Sequence, residues 1–460
     1  MPSPHEFATW EPLLRVLRTD CHATWEGPEG VVSGQIGLGA WSVPVRMAPS
    51  APGRALLVED MADAFSAVEG IQQALREAGW EHVAFTAELS LAGSAAVRVF
   101  APSPAAAAGI GTHAPSALVL VEGAVPEPWR RLPEPAPDAR PAGSADAGLV
   151  ERTLRERLPD AVPATEEEIA EAERRLGLPL PAELRAVYRV VRGRWSDFPD
   201  YEAAERVYEA VGVELLPPEQ LYVADAASRH WHWAHAASRA VVTPPEAAVQ
   251  GLPGSPGWIA FGSNGGGDHY AVDLTPGPLG RTGQIVLIGH EEDTGADLEA
   301  DSLTDLVVHR RPSSHPHPRV HADRTPAIAR VNRASLPDVE AAVHPDLEVL
   351  GIGVLDRPPV SLAPVTGLPK LRTLTAYPGT LADPLEISGL KGLEFLELGP
   401  DDWRVLLDAG AVPTGLSAAA VIAHGHDLAA MVALNNELLA LFGRPRITDE
   451  VLRGDLGPMP

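Results

Sequence analysis

Acidic and imidazole side chains follow a run of glycines near the middle of the chain, a pattern that could bind phosphate or support hydrolysis. The segment reads Trp258-Ile-Ala-Phe-Gly-Ser-Asn-Gly-Gly-Gly-Asp-His-Tyr-Ala-Val-Asp273. A phosphate-binding glycine loop opens a helix, and a Lys-Ser or Lys-Thr pair follows it. Here the glycines lead into a second aromatic and β-branched run. The segment therefore predicts a β-hairpin, with positive φ angles at Gly265, Gly266 and Gly267.

Hydrolysis at this hairpin would use Asp268, His269 and Asp273, which the turn could hold on an exposed rim. In the structural alternative, Asp268 accepts hydrogen bonds from turn N–H groups, Phe261 packs inward and Trp258 anchors the sheet. The chain has no Gly-x-Ser-x-Gly, His-Glu-x-x-His or P-loop pattern. We therefore expect that the protein is not an enzyme and has no catalytic residues and no cofactor.

Histidines are the other side chains whose spacing suggests chemistry. In His230-Trp-His-Trp-Ala-His235, two imidazoles would share one face at strand spacing, as in a metal site. No second cluster of Cys or acid lies nearby, and the interleaved tryptophans favour a contact surface or an amphipathic wall. His290-Glu-Glu-Asp293 also offers ligand atoms, but consecutive loop residues point apart. We expect no metal at either segment, nor at the linker histidines His315, His317 and His321.

Two helices with clear start and stop signals are predicted upstream of the hairpin. Thr165 can cap the first helix while Glu168 reaches back in a capping box, and Gly177 ends it. The next helix has Pro181 in its first turn and ends at Gly193. Its apolar residues recur at helical spacing and predict one buried face, formed by Leu184, Val187, Tyr188 and Val191.

This order of elements resembles the SUKH superfamily, which includes fungal cell-wall assembly regulators. The resemblance continues through Leu215-Leu-Pro217, the 258–273 hairpin, Gly283-Gln-Ile285 and Asp301-Ser-Leu303, and covers about residues 150–310. It implies an α+β sheet domain with no common catalytic chemistry. Its bacterial members resemble immunity proteins that neutralise toxins, and its fungal members are regulatory scaffolds. One departure is Arg192-Gly-Arg194, where the family usually has Asn-Gly.

The charge of the chain restricts the kinds of partner it can bind. It has 62 acidic and 36 basic residues, a formal net charge of -26. Phosphate contacts need a basic patch, so we expect no direct nucleic-acid partner. An acidic protein would be steered towards a basic partner, although acidic surfaces also serve solubility alone.

Together with the resemblance, this charge suggests a bacterial immunity protein or antitoxin that occludes a toxin domain. Aromatic and acidic residues would form the interface, and the candidates are Trp231, Trp233, Trp258, Asp268 and His269. The alternatives are a regulatory scaffold unrelated to toxins and, third, a hydrolase.

Composition also suggests where the protein acts. The single cysteine, Cys21, excludes an intrachain disulfide, fits a reducing cytoplasm, and is expected to pack in a core. The N-terminus has no signal-peptide pattern, and no apolar run approaches the roughly 20 residues that a membrane span needs. We expect a cytoplasmic protein without membrane contact.

The fold class predicted for the whole chain is multidomain α+β, with three independently packed units. They are a small α/β sandwich at 1–105, the SUKH-like domain at 150–310 and a leucine-rich-repeat-like region with a helical cap at 331–460. An Ala/Pro-rich linker at 106–149, its second half extended and solvated, and a second linker at 311–330 would join them.

Local patterns place elements in the two outer units. The first should contain helices at Glu6–Leu17 and Asp60–Ala78, and strands at Val31–Val45, His82–Leu91 and Ser94–Phe100. In the last, similar segments begin at Leu347, Leu371 and Leu393, with spacings of 24 and 22 residues. These spacings resemble leucine-rich repeats, though the usual Asn or Cys is missing. Helices at Ser417–His424 and Leu428–Leu441 would cap the array.

Overall fold

The computed structural model describes residues 2–25, 27–45, 61–107, 117–229, 231–313, 324–422 and 428–459. The helices are α1 (Phe7–Cys21), α2 (Ala62–Ala78), α3 (Glu127–Arg130), α4 (Ala147–Arg157), α5 (Glu166–Leu176), α6 (Ala182–Tyr188), α7 (Tyr201–Val211), α8 (Trp233–Ala237), α9 (Pro400–Asp408) and α10 (Leu428–Leu441). None of the helices in these ranges has the length and apolar composition that a bilayer-spanning segment needs.

The strands form three sheets, which confirms the α+β class. They are β1 (Glu29–Gly37), β2 (Trp41–Ser42), β3 (His82–Ser90), β4 (Ser94–Phe100), β5 (Ala106–Ala107), β6 (Ala117–Val119), β7 (Glu214–Leu215), β8 (Tyr222–Val223), β9 (Trp258–Ser263), β10 (His269–Asp273), β11 (Gln284–Ile288), β12 (Asp297–Ala300), β13 (Ile328–Val331), β14 (Val349–Ile352), β15 (Thr373–Ala376), β16 (Phe395–Leu398), β17 (Ala418–Val421) and β18 (Asp449–Asp455).

The first sheet is antiparallel and takes strands from both ends of the chain, in the order β18-β4-β3-β1-β2. Helices α1 and α2 pack against it around a core that contains Trp10, Ile71 and Phe85. Leu452 of β18 pairs with Val97 of β4 and joins the same core. The expectation of three independently packed units is therefore wrong, because the end of the chain completes the N-terminal sheet. Cys21 is buried in this core, as expected for a packing residue.

The second sheet, in the order β12-β11-β10-β9-β7 with β8 also paired to β9, lies in the middle of the chain. The predicted capping box is present, since Thr165 accepts from the Glu168 N–H and Glu168 accepts from the Thr165 N–H. Helix α6 starts one residue later than predicted, with Pro181 at its N-cap. Helices α4 to α7 share a core with the sheet, whose members include Ile169, Leu184, Tyr188, Phe261 and Ile285.

The third sheet has the order β13-β14-β15-β16-β17-β6-β5. Its first five strands run parallel, and Leu350, Leu374 and Leu396 lie side by side in adjacent strands. The sequence repeats therefore form adjacent parallel strands of one sheet. Their assignment to the leucine-rich-repeat family stays a prediction. The helix predicted at Ser417–His424 is wrong for the described part of that range. Its residues 418–421 are strand β17, with Ala419 paired to Leu396.

The first part of the Ala/Pro-rich segment is packed, in contrast to a linker, whereas residues 131–141 have no helix or strand and are exposed or half-buried. Strand β6 pairs antiparallel with β17, and Leu118 and Leu120 are buried in the core of the third sheet. Trp129 of α3 is also buried. Residues 117–130 therefore belong to the third sheet and its edge, whereas Glu134 and Asp146 bind Gln250 and Thr304 of the middle domain. Residues 108–116, and residues 314–323 of the second predicted linker with His315, His317 and His321, lie outside the described residues.

Candidate partner-binding site

The 258–273 hairpin forms as predicted, with β9 and β10 paired antiparallel. Its turn has positive φ angles at Gly265 (75°) and Gly267 (105°) but not at Gly266. The predicted role of Asp268 in capping the glycine N–H groups is wrong. The Asn264 side-chain oxygen accepts from the N–H groups of Gly266 and Asp268 instead.

Asp268 binds a neighbouring loop. Its carboxylate accepts from the His290 backbone N–H at 2.9 Å and contacts the His290 ring Nδ1 at 2.7 Å. These hydrogen bonds lower the pKa of Asp268 and raise the pKa of His290. His269 lies edge-on to Tyr222, and burial lowers its pKa. Both residues are partly exposed, so their role in an interface stays a prediction.

The structure contradicts the partner role predicted for Trp258. This side chain has no exposed surface and lies in a core beneath the hairpin with Ala260, Ala271 and Val286. An aromatic residue can contribute to an external interface only through surface that the partner removes from water. Trp258 therefore anchors the sheet, as the structural alternative proposed.

Trp233 is also buried, at a contact between the second and third units. It begins α8, is 2% exposed, and stacks on Phe395 of β16 with ring centroids 6.4 Å apart. Trp231 packs edge-on against Trp233 and is partly exposed. The prediction that Trp233 faces an external partner is wrong, because its partner surface belongs to the same chain. The role of Trp231 stays a prediction.

The histidine-rich segment is not a strand. Residue 230 lies outside the described residues, His232 is the N-cap of α8, and His235 lies within that helix. His235 Nε2 is 2.7 Å from Asp293, which also pairs with Arg239. Within the described ranges, no group of three or more His, Cys, Asp or Glu side chains is placed to hold a metal ion.

A different group of aromatic side chains is exposed on the middle domain. Trp195, Tyr201 and Tyr208 have 68%, 71% and 46% of their surface exposed. Trp195 lies in the loop between α6 and α7, Tyr201 begins α7, and Tyr208 lies two turns further along that helix. Exposed aromatic residues of this kind are enriched in protein interfaces.

Trp195 and Tyr208 line a cavity of about 460 Å³, and Tyr201 begins the helix that carries Tyr208. We call this cavity the aromatic groove and define it by Trp195, Phe198, Tyr208, Glu214 and Glu219, which are among its lining residues. A second cavity of about 420 Å³ lies on the other side of the 193–199 loop and shares Gly193, Phe198 and Val207 with the groove. The loop therefore stands between two adjoining depressions.

Ion pairs fix the loop in place. Arg192 donates two hydrogen bonds to Asp197, at 2.6 and 2.7 Å, and these lower the pKa of Asp197. Arg194 binds Glu219 at 2.6 Å and Glu168 at 2.8 Å. Bidentate arginine–carboxylate pairs define direction as well as distance. Arg192 and Arg194 are the residues that depart from the expected Asn-Gly pattern, and here they hold the loop that carries Trp195.

The backbone at Gly193 brings this loop close to β7. Its φ is +75°, and a Cβ added there would lie 3.0 Å from the Leu215 carbonyl oxygen. Glycine is required both by the left-handed conformation and by the close approach. The sequence analysis missed the groove because Trp195 and Tyr201 follow a helix end in a polar stretch. A signal was present, since Trp195-Ser-Asp-Phe-Pro-Asp-Tyr201 contains three aromatic residues in seven, outside any helical stripe.

Comparison with known families identifies the middle domain. Residues 163–308 match the family model described as SMI1 / KNR4 family (SUKH-1). They include α5 to α8, the hairpin and the whole aromatic groove. The predicted SUKH resemblance is confirmed, and this segment is a SMI1/KNR4 (SUKH-1) domain. Such a domain supports a role as an interaction module.

Relatives of the domain are named as fungal regulators. A glucan synthesis regulatory protein of Neurospora crassa is 40% identical over 70 residues, which are 15% of this chain and 13% of that protein. A cell wall biosynthesis/cell cycle regulator of Schizosaccharomyces pombe is 45% identical over 58 residues, which are 13% of this chain and 11% of that protein. A cell wall assembly regulator of Saccharomyces cerevisiae is 42% identical over 50 residues, which are 11% of this chain and 10% of that protein. The matched segments therefore cover about a tenth of each relative.

Proposed function

We propose, from the premise that residues 163–308 form a SMI1/KNR4 (SUKH-1) domain, that the protein is a non-catalytic binding protein whose partner docks in the aromatic groove. The observation that carries this proposal is the exposure of Trp195 and Tyr208, which line one cavity. Tyrosine and tryptophan combine a large apolar surface with few rotatable bonds, and they are enriched among residues that dominate binding energy.

The rigidity of the loop supports the same proposal. Binding costs free energy when it immobilises loops and side chains, so a surface that is already fixed binds more tightly. Before any partner arrives, Arg194 connects the Trp195 loop to Glu168 and Glu219, and Arg192 binds Asp197 of the loop.

The finer form of the proposal is an immunity protein that neutralises a bacterial toxin by occluding it. The net charge of -26 supports it, because it would steer the protein towards a basic toxin. The second candidate is a regulatory scaffold without a toxin partner. The names of the fungal relatives favour this candidate.

Co-expression of the full chain with toxin domains encoded near its gene tests the proposal. Rescue of growth and a stable complex are expected for the immunity function. The double variant Trp195→Ala/Tyr208→Ala should lose the complex, whereas Tyr377→Ala, which removes an aromatic residue of the third unit, should retain it. A complex without rescue would favour the scaffold, and a complex that survives the double substitution would exclude the groove as the docking site.

A further inference from the structure

We infer that the aromatic groove takes a basic peptide segment of the partner, with one Arg or Lys side chain lying between Trp195 and Tyr208 and directed towards Glu214. This inference rests on the proposed function, because it names the chemistry of the segment that docks there. It depends on the charges that line the groove, on the exposed glutamates of α7 and on the difference in charge between the two adjoining cavities.

Two glutamates line the groove, and Glu214 is the one that forms no ion pair with a described residue. Among the described residues, Glu219 is paired with Arg194, which also binds Glu168. Glu214 accepts a hydrogen bond from the Ser263 hydroxyl at 3.0 Å, and no described arginine, lysine or histidine forms an ion pair with it. The groove therefore presents aromatic rings together with an uncompensated negative charge, a combination that fits a cationic side chain.

Aromatic rings and a carboxylate attract the same kind of ligand. A guanidinium or ammonium group over the face of tryptophan or tyrosine is stabilised by the ring quadrupole. Glu214 is exposed, so its attraction alone would be weak. Both contributions are available to one side chain that lies along Trp195 or Tyr208 and ends near Glu214, since all three residues line the same cavity.

The exposed surface of α7 adds to the negative field. Glu202, Glu205 and Glu209 are exposed, and none of them forms an ion pair within the described residues. Arg206 is the basic residue of this helix, and it lines the second cavity rather than the groove. None of these glutamates lines either cavity, but their charge would attract a basic segment to this helix, and Arg206 would repel it from the second cavity.

The second cavity has a different character. Leu158, Pro159, Val162 and Val191 line it, together with two arginines and two acids, Arg157, Arg206, Asp160 and Asp197. Its charges balance, and its apolar lining suits an uncharged side chain. Because the two cavities adjoin, the segment that fits is an extended peptide with a basic residue next to an apolar one.

Peptide binding to the full-length protein tests this inference. The probe is a fluorescein-labelled peptide with one arginine flanked by leucines, and its control has citrulline in place of arginine, which keeps the shape and removes the charge. At low salt, we expect the arginine peptide to bind at least about fivefold more tightly, with an affinity that falls as salt is added. Equal binding of the two peptides, or binding by neither at millimolar concentration, overturns the inference.

Variants localise the binding. Trp195→Ala should weaken the arginine peptide about fivefold, and Glu214→Gln about threefold, whereas Glu88→Gln in the exposed part of β3 should leave it unchanged. Circular dichroism checks that each variant is folded. If the partner complex depends on Trp195 and Tyr208 but the two peptides bind equally, the proposed function stands and this inference fails. If the complex does not depend on them, the proposed docking site itself fails.

Discussion

Asp273 is a fully buried acid in the SUKH domain, and its ionisation links the stability of the domain to pH. Its carboxylate accepts hydrogen bonds from the Thr275 N–H at 2.8 Å and from the Gln284 side-chain amide at 2.9 Å. Burial nevertheless raises its pKa to about 6, because these bonds only partly replace the lost hydration of the charged form. The unfolded chain should ionise near the ordinary value of about 3.9.

The Asp273→Asn substitution should remove this pH dependence. A raised folded-state pKa means that the stabilising contribution of the protonated acid is complete below about pH 4 and is lost as the pH rises through about 6. Relative to the Asp273→Asn variant, the native protein should therefore gain about 2 kcal/mol of opening free energy between pH 7.5 and pH 4. Hydrogen exchange of the β10 amides measures that free energy in both proteins. A difference that is constant with pH would show that Asp273 has an ordinary pKa.

At the scale of elements, Gly193 determines where the α6–α7 loop runs. Replacing it with Ala forces a side chain into a left-handed backbone and against the Leu215 carbonyl. Gly177 provides a matched control, since it ends α5 with a φ of +69° but nothing lies within 4 Å of its added Cβ. The two substitutions share the backbone strain and differ in the steric contact.

We expect Gly177→Ala to destabilise α5 locally by about 1 kcal/mol and to leave the groove unchanged. Gly193→Ala should in addition speed hydrogen exchange in residues 194–198 and alter the fluorescence of the exposed Trp195. Equal exchange of this loop in both variants would contradict the idea that contact with Leu215 positions it.

Elements that depend on local signals could be predicted from the sequence. The capping box of Thr165 and Glu168, the glycine that ends α5 and the β9–β10 hairpin each depend on residues within a few positions of one another. The helix predicted at Ser417–His424 was wrong because an alanine-rich run suits both helix and strand. Pairing with Leu396, which is distant in sequence, selects the strand.

Exposure of the tryptophans could not be predicted from the sequence either, because it too depends on contacts between residues that are distant in sequence. Trp233 is covered by Phe395, more than a hundred and fifty residues away, and Trp258 by the core beneath the hairpin. Trp195, in contrast, remains 68% exposed. Burial of a large side chain is decided by which element packs over it, and the order of residues in a short segment contains no such information.

At the scale of the whole molecule, the SUKH domain is joined to the parallel sheet through α8. Thr373 and Arg372 donate hydrogen bonds to the Ala237 carbonyl at the end of this helix. Arg372 also pairs with Glu348, and both side chains are only 8% exposed. The face of the third sheet that carries Thr373 and Phe395 is therefore covered by α8 of this chain.

Arg372→Ala and Trp233→Ala should loosen this junction. Glu348 is nearly buried, and removing Arg372 takes away one of the cations that pair with it. Loss of one member of a buried ion pair typically lowers the free energy of unfolding by about 3–5 kcal/mol. Arg131 also binds Glu348 at 2.8 Å and should reduce that cost. Truncating the buried Trp233 should cost about as much, through lost packing on Phe395. We expect faster proteolysis within residues 231–242 and a larger radius of gyration by small-angle X-ray scattering.

Arg404→Ala provides the control for this experiment. Arg404 pairs with Glu437 at 2.6 Å, but these side chains are 45% and 50% exposed, so their loss should change stability by less than about 1 kcal/mol. If all three variants keep the compact dimensions and protease resistance of the native protein, the contacts at α8 do not hold the two units together. If only Arg372→Ala and Trp233→Ala expand, the junction depends on the Trp233 packing and on the Arg372–Glu348 pair, because Arg404→Ala removes the same unit charge as Arg372→Ala but from an exposed pair.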